Sequence, residues 1–311
     1  MIINFGNRTD IPAWYSRWFY NRISEGYVMA RNPYSPNQIT KFNLDPKTVD
    51  ILAFITKNPE PMLDRIDEID AFGQLWQVTI TSYGQDIEPY VPSADKVINS
   101  FKRLSKKIGK NAVVWRYDPI FINEKYSLNF HIQAFEQMAK KLEGYTDICV
   151  ISFVDLYEKT KKNFKGIRAV SKKEQEQITS QLVEIAKRYS MALMTCCEDL
   201  SLENFGADTS GCMGKNVLEH ALGVTLDIPK KDFGGRNGCF CVIGNDVGMY
   251  NTCGHGCLYC YANYDRKTVK SNMKKHNPNS SLLVGELYHD DIVKEAKAVS
   301  YKNMQVSLFD L

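Results

Sequence analysis

The sequence predicts an α/β fold, in which a parallel (β/α) barrel or partial barrel is followed by a cysteine-rich carboxyl-terminal segment. Short apolar runs alternate along the chain with longer amphipathic stretches, which is the pattern of parallel βα units. A length of 311 residues is enough for one large domain of this kind. Six of the nine cysteines follow residue 200. We therefore expect a barrel-like domain at 1–200 and a cysteine-rich segment at 201–311 that packs against it.

The individual elements follow from hydrophobic periodicity. Six apolar runs predict the barrel strands, at 2–5, 49–55, 75–82, 112–117, 147–153 and 191–196. Amphipathic stretches between them predict helices at Ala94–Ile108, Leu128–Leu142 and Lys172–Arg188. Asp10 followed by Pro12 marks an earlier helix start. We also expect a hairpin at 26–42 and a helix at 291–299.

Polar residues follow most of the predicted strands. In βα barrels the active site lies at the carboxyl ends of the strands, so such residues are candidates for catalysis. Arg116, near the end of the strand at 112–117, could clamp a carboxylate or phosphate with two hydrogen bonds. Glu198, just after the strand at 191–196, could act as a general base or bind a cofactor amine. Ordinary loops after strands are also polar, and the sequence leaves both interpretations open.

Charge and hydropathy limit the possible function classes. The net charge of +3 is too small to indicate nucleic-acid binding by itself. No window approaches the roughly 18 apolar residues that a membrane span needs, and the amino terminus lacks a signal-peptide pattern. We therefore expect a cytoplasmic protein that does not enter a membrane. In a reducing compartment, many cysteines indicate metal binding rather than disulfides.

Three cysteines lie close together in a glycine-containing loop at 250–263. Cys253, Cys257 and Cys260 have a Cys-x3-Cys-x2-Cys spacing. Three soft thiolates on one short loop suit an iron–sulfur cluster, because a closed zinc site usually takes four ligands from two paired knuckles. The loop is therefore predicted to hold a four-iron–four-sulfur cluster, with one iron open to a substrate or cofactor.

A further set of cysteines remains after Cys149 and Cys197 are set aside. Cys149 lies in an apolar run, and only one member of the adjacent pair at 196–197 can readily point toward the barrel mouth. The remaining set is Cys196, Cys212, Cys239 and Cys241. It could form a second tetrathiolate site for zinc or another iron–sulfur cluster. Alternatively, Cys239 or Cys241 could close the open iron of the first cluster, or the extra thiols could simply be buried.

The cysteine loop resembles the cluster motif of radical S-adenosylmethionine enzymes, including an aromatic residue, Tyr259, before the third cysteine. The resemblance implies that the open iron binds the amino and carboxylate groups of S-adenosylmethionine and that Tyr259 lies near the adenine. In that superfamily the loop usually follows the first strand, whereas here few residues follow Cys260. Any barrel that the cluster serves must therefore be built from the residues before the loop.

A wider pattern resembles a bacterial family known as domain of unknown function eighteen-forty-eight. It begins at Arg236, includes the Cys-x-Cys pair at 239–241, and continues from Asp246 to Asn263. The resemblance extends over nearly the whole chain. The family name implies no established reaction.

The carboxyl-terminal tail at 305–311 resembles the short peptide by which bacterial polymerases and repair proteins dock into the replication sliding clamp. By this resemblance Gln305 would hydrogen-bond at a pocket rim, while Leu308 and Phe309 would fill its apolar part. A clamp partner would place the protein on DNA, where the lysine-rich runs at 102–107 and 159–165 could contact phosphates. The alternative is that the tail packs on its own domain.

Together these features predict an iron–sulfur enzyme, of the radical S-adenosylmethionine type by resemblance. We expect it to act on nucleic acid or nucleotides in a repair-like reaction and to dock to the sliding clamp through its tail. The alternative is a non-catalytic iron–sulfur or zinc protein that associates with nucleic acid or senses redox state.

Overall fold

The computed structural model describes residues 1–235, 238–242 and 244–303. Its strands are β1 (Ile2–Asn4), β2 (Tyr27–Arg31), β3 (Gln38–Asn43), β4 (Ile51–Thr56), β5 (Gln74–Thr79), β6 (Val113–Ile120), β7 (Ile148–Phe153), β8 (Ala192–Thr195), β9 (Asn245–Asp246) and β10 (Ile292–Glu295). Its α-helices are α1 (Ile11–Trp14), α2 (Ser16–Glu25), α3 (Ala94–Ile108), α4 (Leu128–Leu142), α5 (Glu158–Asn163), α6 (Lys172–Arg188), α7 (Lys215–Leu222) and α8 (Arg266–Lys274). Segments of 3-10 helix lie at Glu60–Ile69, Lys110–Ala112, Leu200–Phe205 and Lys230–Asp232.

Seven strands form one parallel sheet in the order β8-β7-β6-β5-β4-β1-β9. Strands β4 to β8 are neighbours in both sequence and space, which is the order found in a barrel wall. The prediction of an α/β fold with parallel strands is confirmed. Among the described residues β8 and β9 end the strand order and no pairing joins them, although Met194 of β8 makes an isolated parallel bridge with Asp208, so closure into a barrel stays a prediction.

Both faces of the large sheet are buried, as the nearly continuous apolar strands require. Every residue of β5 is buried, and its side chains alternate between the two faces. Trp76 packs into the larger core, together with apolar residues of helices α3, α4 and α6. Leu75 packs into a second core, which includes Val217 and Leu218 of α7. Helices α3, α4 and α6 therefore cover one face, and the cysteine-rich segment covers the other.

Helices α3, α4 and α6 have the bounds that the sequence predicts. Side-chain caps fix the starts of α4 and α6, whereas Ser93 at the start of α3 makes no side-chain cap hydrogen bond. The Ser127 side chain accepts a hydrogen bond from the Phe130 backbone N–H at the start of α4. Ser171 and Glu174 form a reciprocal capping box at the start of α6. These contacts satisfy backbone donors that a helix start would otherwise leave unpaired.

A small second sheet has the order β10-β3-β2. Strands β2 and β3 are antiparallel, with Tyr27 opposite Asn43, so the predicted hairpin is confirmed. The predicted helix at 291–299 is wrong, because Ile292–Glu295 forms a strand that pairs in parallel with β3. Its four residues are all exposed. An exposed edge strand that pairs with a distant segment carries little local signal, which explains the error.

The segment after residue 200 takes part in the main sheet. Strand β9 pairs with β1, with Ile3 opposite Asn245. The division into domains at 1–200 and 201–311 stays a prediction. Within the described ranges, no helix is long and apolar enough to cross a membrane.

Candidate functional site

The cysteine loop at 250–263 is fixed to the chain that follows β5. The Leu258 N–H donates to the Ile87 carbonyl at 3.0 Å, and the Tyr90 N–H donates to the His255 carbonyl at 3.1 Å. Within the loop, the Asn263 side-chain amide donates to the Cys253 carbonyl at 2.8 Å. The loop is therefore a positioned structure beyond the carboxyl ends of the central strands, where the active sites of parallel α/β proteins lie.

Two glycines allow this loop to pack against aromatic rings. A Cβ atom on Gly254 would lie 2.8 Å from the indole carbons of Trp14. Gly256 has a φ of +70°, and a Cβ atom there would lie 3.2 Å from the Tyr90 ring. Glycine is the residue that tolerates both the left-handed backbone and this proximity. The glycines between the cysteines are therefore explained by packing.

The three loop cysteines are all half-buried. Burial raises the pKa of each thiol, and the neighbouring charges of Asp10 and Cys260 raise the pKa of Cys253 further. Backbone groups of His255 and Asp10 hydrogen-bond the Cys253 sulfur, and those of Ala262 and Asn263 hydrogen-bond the Cys260 sulfur. Such N–H donors stabilise thiolates and are typical of metal-bound sulfur. The structure thus places the three loop thiols close enough together for the charge of Cys260 to act on both Cys253 and Cys257.

His255 is buried and paired rather than solvated. Its Nε2 atom lies 2.8 Å from Asp10 Oδ2, which also accepts the Lys57 backbone N–H at 2.7 Å. The other oxygen of Asp10 accepts the Ala13 N–H at 3.1 Å and caps helix α1. Asp10 therefore joins the loop to α1 and to the end of β4. Sequence reasoning identified Asp10 as a helix start and as a polar residue after the first strand, but it could not identify its partner His255, which is far away in the chain.

A second polar network lies beneath the loop, and the sequence indicated only that two of its members, Lys57 and Thr81, are polar residues at strand ends. The Lys57 ammonium contacts Glu88 Oε1 at 2.9 Å, and the Thr81 hydroxyl donates to the same oxygen at 2.9 Å. The Tyr259 hydroxyl also donates to Glu88. Burial lowers the pKa of Lys57, but the charges of Glu88 and Cys257 outweigh it and raise the pKa overall. A buried cation therefore lies beside a loop cysteine, and Tyr259 is anchored by its hydroxyl.

A cleft of about 470 Å³ opens beside the loop. Helix α8 lines its wall from Arg266 to Met273, and that helix begins where the Asp265 side chain accepts the Thr268 N–H at 2.8 Å. The cleft combines thiols, aromatic rings and cationic side chains, namely Cys253, Cys257, Trp14, Tyr90, Arg266 and Lys270. This composition suits an anionic ligand with a flat or apolar part.

Arg116 and Glu198 have partners within the protein. The Arg116 guanidinium contacts Asp118 through Nε at 3.1 Å and Gln77 Oε1 through Nη1 at 2.7 Å. The same Nη1 lies 3.4 Å from the sulfur of Cys212. Glu198 Oε1 accepts the backbone N–H of Phe153 at 2.8 Å. Direct roles for Arg116 and Glu198 in substrate binding stay predictions.

The structure also brings together the cysteines outside the loop. Cys212 Sγ lies 3.3 Å from Cys196 Sγ and 3.6 Å from Cys241 Sγ. A hydrogen bond from Cys241 lowers the pKa of Cys239 to about 6. All of these residues are free cysteines. Over the described ranges, no three His, Cys, Asp or Glu side chains already converge in the geometry of a metal site.

The basic runs differ in their surroundings. On helix α3, Arg103 is paired with Glu60 at 2.5 Å, and Lys107 with Asp67 at 2.7 Å. Near the cysteine loop, the Lys159 ammonium lies 5.0 Å from the Tyr250 ring centroid and 5.1 Å from that of Tyr264. The predicted clamp-binding residues Gln305, Leu308 and Phe309 lie outside the described residues.

Comparison with known proteins gives a family but no activity. No curated protein matches the chain. A solved structure from Bacteroides thetaiotaomicron, assigned as an α-L-fucosidase, aligns with 12% identity and a TM-score of 0.29. The alignment covers 53% of this chain and 59% of that one, and a similarity this low says nothing about function. The family described as "Domain of unknown function (DUF1848)" matches residues 2–262. The chain therefore belongs to the DUF1848 family.

Proposed function

We propose that this protein is an iron–sulfur enzyme of the radical S-adenosylmethionine type, which acts on nucleic acid or a nucleotide. The observation that carries the proposal is the position of Cys253, Cys257 and Cys260. The three thiols share one fixed loop beyond the carboxyl ends of a parallel sheet, and two of them line a cleft.

The side chains around the loop fit a four-iron–four-sulfur cluster. Cys253, Cys257 and Cys260 supply three soft ligands, and hydrogen bonds from the backbone reach the first and third of them. Thiolates and sulfides give such a cluster a negative charge, which the buried Lys57 ammonium would offset. His255 is held by Asp10. When bound, the cluster would supply single electrons for reductive cleavage of a cofactor at its open iron.

The protein's own side chains would hold the cysteine loop and the charges beside it in position. Asp10 holds His255, and through it the turn between the first two cysteines. Glu88 fixes both the Lys57 ammonium beside Cys257 and the hydroxyl of Tyr259. The buried Lys57–Glu88 pair keeps its charges in place without movement during the reaction, which is the arrangement that electrostatic preorganisation requires.

The substrate class is proposed from the charge around the cleft. Helix α8 presents Arg266, Lys267, Lys270 and Lys274, and helix α5 adds Lys159 and Lys162 beside tyrosine rings. Cationic side chains next to exposed aromatic rings bind phosphates and stack on bases. The clamp-like tail would deliver the protein to DNA. Binding of single-stranded DNA should weaken with salt, and R266E/K270E should weaken it more than R103E on helix α3.

The chemical half of the proposal is tested by anaerobic reconstitution of the full chain. We expect about four irons and four sulfides per chain, with reductive cleavage of S-adenosylmethionine by the dithionite-reduced protein. C257A should lose the iron and the cleavage. C149A, which changes a buried cysteine outside the loop, should keep both. A loaded, reducible cluster without any cleavage would refute the enzyme proposal and favour the non-catalytic alternative.

A further inference from the structure

We propose that Cys196, Cys212, Cys239 and Cys241 bind a single zinc ion, at a site separate from the cysteine loop. The sequence leaves open a second cluster, a zinc site, closure of the first cluster or simple burial. The structure favours one of these four. The proposal goes beyond the function proposed above and does not depend on it.

The distances between sulfur atoms argue for one metal ion rather than a cluster. Cys212 Sγ lies 3.3 Å from Cys196 Sγ and 3.6 Å from Cys241 Sγ. Four sulfurs placed tetrahedrally at about 2.3 Å from zinc are separated from one another by about 3.8 Å. Thiolates of a four-iron cluster each bind a different iron and stand farther apart. A small movement outward from the present contacts would therefore make room for zinc but not for a cluster.

Cys239 is the fourth ligand in this assignment. It shares a Cys-x-Cys turn with Cys241, and the two side chains are hydrogen-bonded to each other. The preceding residue, Gly238, has a φ of +76°, which lets the chain turn sharply toward the group. Backbone groups of Gly235 and Cys241 also hydrogen-bond the Cys239 sulfur. Because no complete metal geometry is present in the described part of the chain, binding requires this turn to close on Cys212.

The surroundings of the sulfurs suit an anionic zinc–thiolate centre. Four thiolates around zinc leave a net charge of about −2, which is costly to bury without donors and cations. The Met213 N–H donates to Cys241 Sγ at 3.2 Å, and Arg116 Nη1 lies 3.4 Å from Cys212 Sγ. The buried Arg116 is held in place by Gln77 and Asp118. This arrangement gives Arg116 a role next to the ligands that does not involve the substrate.

The position of the site explains what the ion would do. Cys196 follows strand β8, whereas the other three cysteines belong to the segment that packs on the sheet in the second core. The Gln77 side chain donates to the Cys212 carbonyl at 2.6 Å, so the ligand turn lies directly on β5. A Cβ atom on Gly211 would lie 2.9 Å from the backbone of Phe240, which shows how closely the two ligand turns pack. Zinc would cross-link this segment to the end of β8 and so stabilise its contact with the sheet.

Metal analysis of the full chain, purified anaerobically without added metal, tests the proposal. We expect about one zinc per chain, and zinc-edge X-ray absorption should show four sulfurs at about 2.3 Å. Absence of zinc, or a shell containing nitrogen or oxygen ligands, would overturn the assignment. About eight irons per chain would also overturn it, because that content indicates two clusters.

Variants separate this site from the cysteine loop. C212A and C241A should lose the zinc, whereas C197A and C257A should retain it. C257A should lose only iron, so failure of the proposed cluster and failure of the zinc site give different results. Zinc retained in C212A, or lost in C197A, would contradict the ligand set. If C212A does not fold, the absorption spectrum of the wild-type protein decides the question alone.

Discussion

Replacing Asp10 by alanine should destabilise the protein far more than the loss of an ordinary helix cap. Asp10 is 7% exposed and serves three donors at once. One oxygen accepts the Ala13 N–H, and the other accepts the Lys57 N–H and the His255 imidazole. Asp10→Ala removes all three hydrogen bonds in a single step, and it frees the turn that lies between the first two loop cysteines.

The size of the effect follows from these contacts. Loss of the cap costs about 1 kcal/mol. The Lys57 N–H is left in a partly buried place without its acceptor, which costs about 1–3 kcal/mol, and His255 loses a hydrogen bond to a charged group, worth about 1.5–3 kcal/mol. We therefore expect Asp10→Ala to lower the free energy of unfolding by about 4 kcal/mol or more.

Urea denaturation of the anaerobically purified protein, followed by circular dichroism, measures this loss. The matched control is Ser127→Ala, because Ser127 caps α4 through the Phe130 N–H alone. We expect the control to cost about 1 kcal/mol. Equal costs for the two variants would refute the reasoning, since they would mean that the contacts of Asp10 with Lys57 and His255 contribute nothing.

Three further results are expected. Burial lowers the pKa of His131 to about 4, whereas the unfolded chain binds that proton near pH 6.5. The free energy of unfolding should therefore fall by about 3 kcal/mol at most as the pH is lowered from 6.5 to 4. His131→Asn should remove this part of the pH dependence of the free energy of unfolding. Lys57→Met leaves the buried Glu88 carboxylate without its ion pair and should cost about 3–5 kcal/mol in urea denaturation. Adding Glu88→Gln should recover part of that loss. Gly254→Ala forces a methyl group against the Trp14 indole of helix α1. It should lower the free energy of unfolding by about 1–3 kcal/mol, again measured by urea denaturation. Gly235→Ala, where nothing lies within 4 Å, should cost far less.

Each of these expectations has a contrary outcome. Identical slopes for wild-type protein and His131→Asn would mean that the imidazole is protonated equally in the folded and unfolded states. A double variant no more stable than Lys57→Met would mean that Glu88 is satisfied by its hydroxyl partners alone. Equal costs at Gly254 and Gly235 would mean that the loop yields easily to the added methyl group.

The sequence alone determined the features that depend on neighbouring residues. The bounds of α3, α4 and α6 could be read from apolar periodicity, because each helix has its own amphipathic face. The parallel α/β class followed from alternating apolar runs. The spacing of Cys253, Cys257 and Cys260 placed three thiols on one short loop, since a chain of eight residues cannot separate them widely.

Only the tertiary structure decided the features that depend on distant residues. Strand β10 pairs with β3 from the other end of the chain, and its local pattern suggested a helix. The contacts of Asp10 with His255 and of Lys57 with Glu88 leave no sequence signal, because each residue alone has an ordinary type and an ordinary place. Sequence spacing alone keeps the three loop cysteines close together. Only folding brings Cys196, at the end of β8, close to Cys212 and places Cys212 beside Cys241.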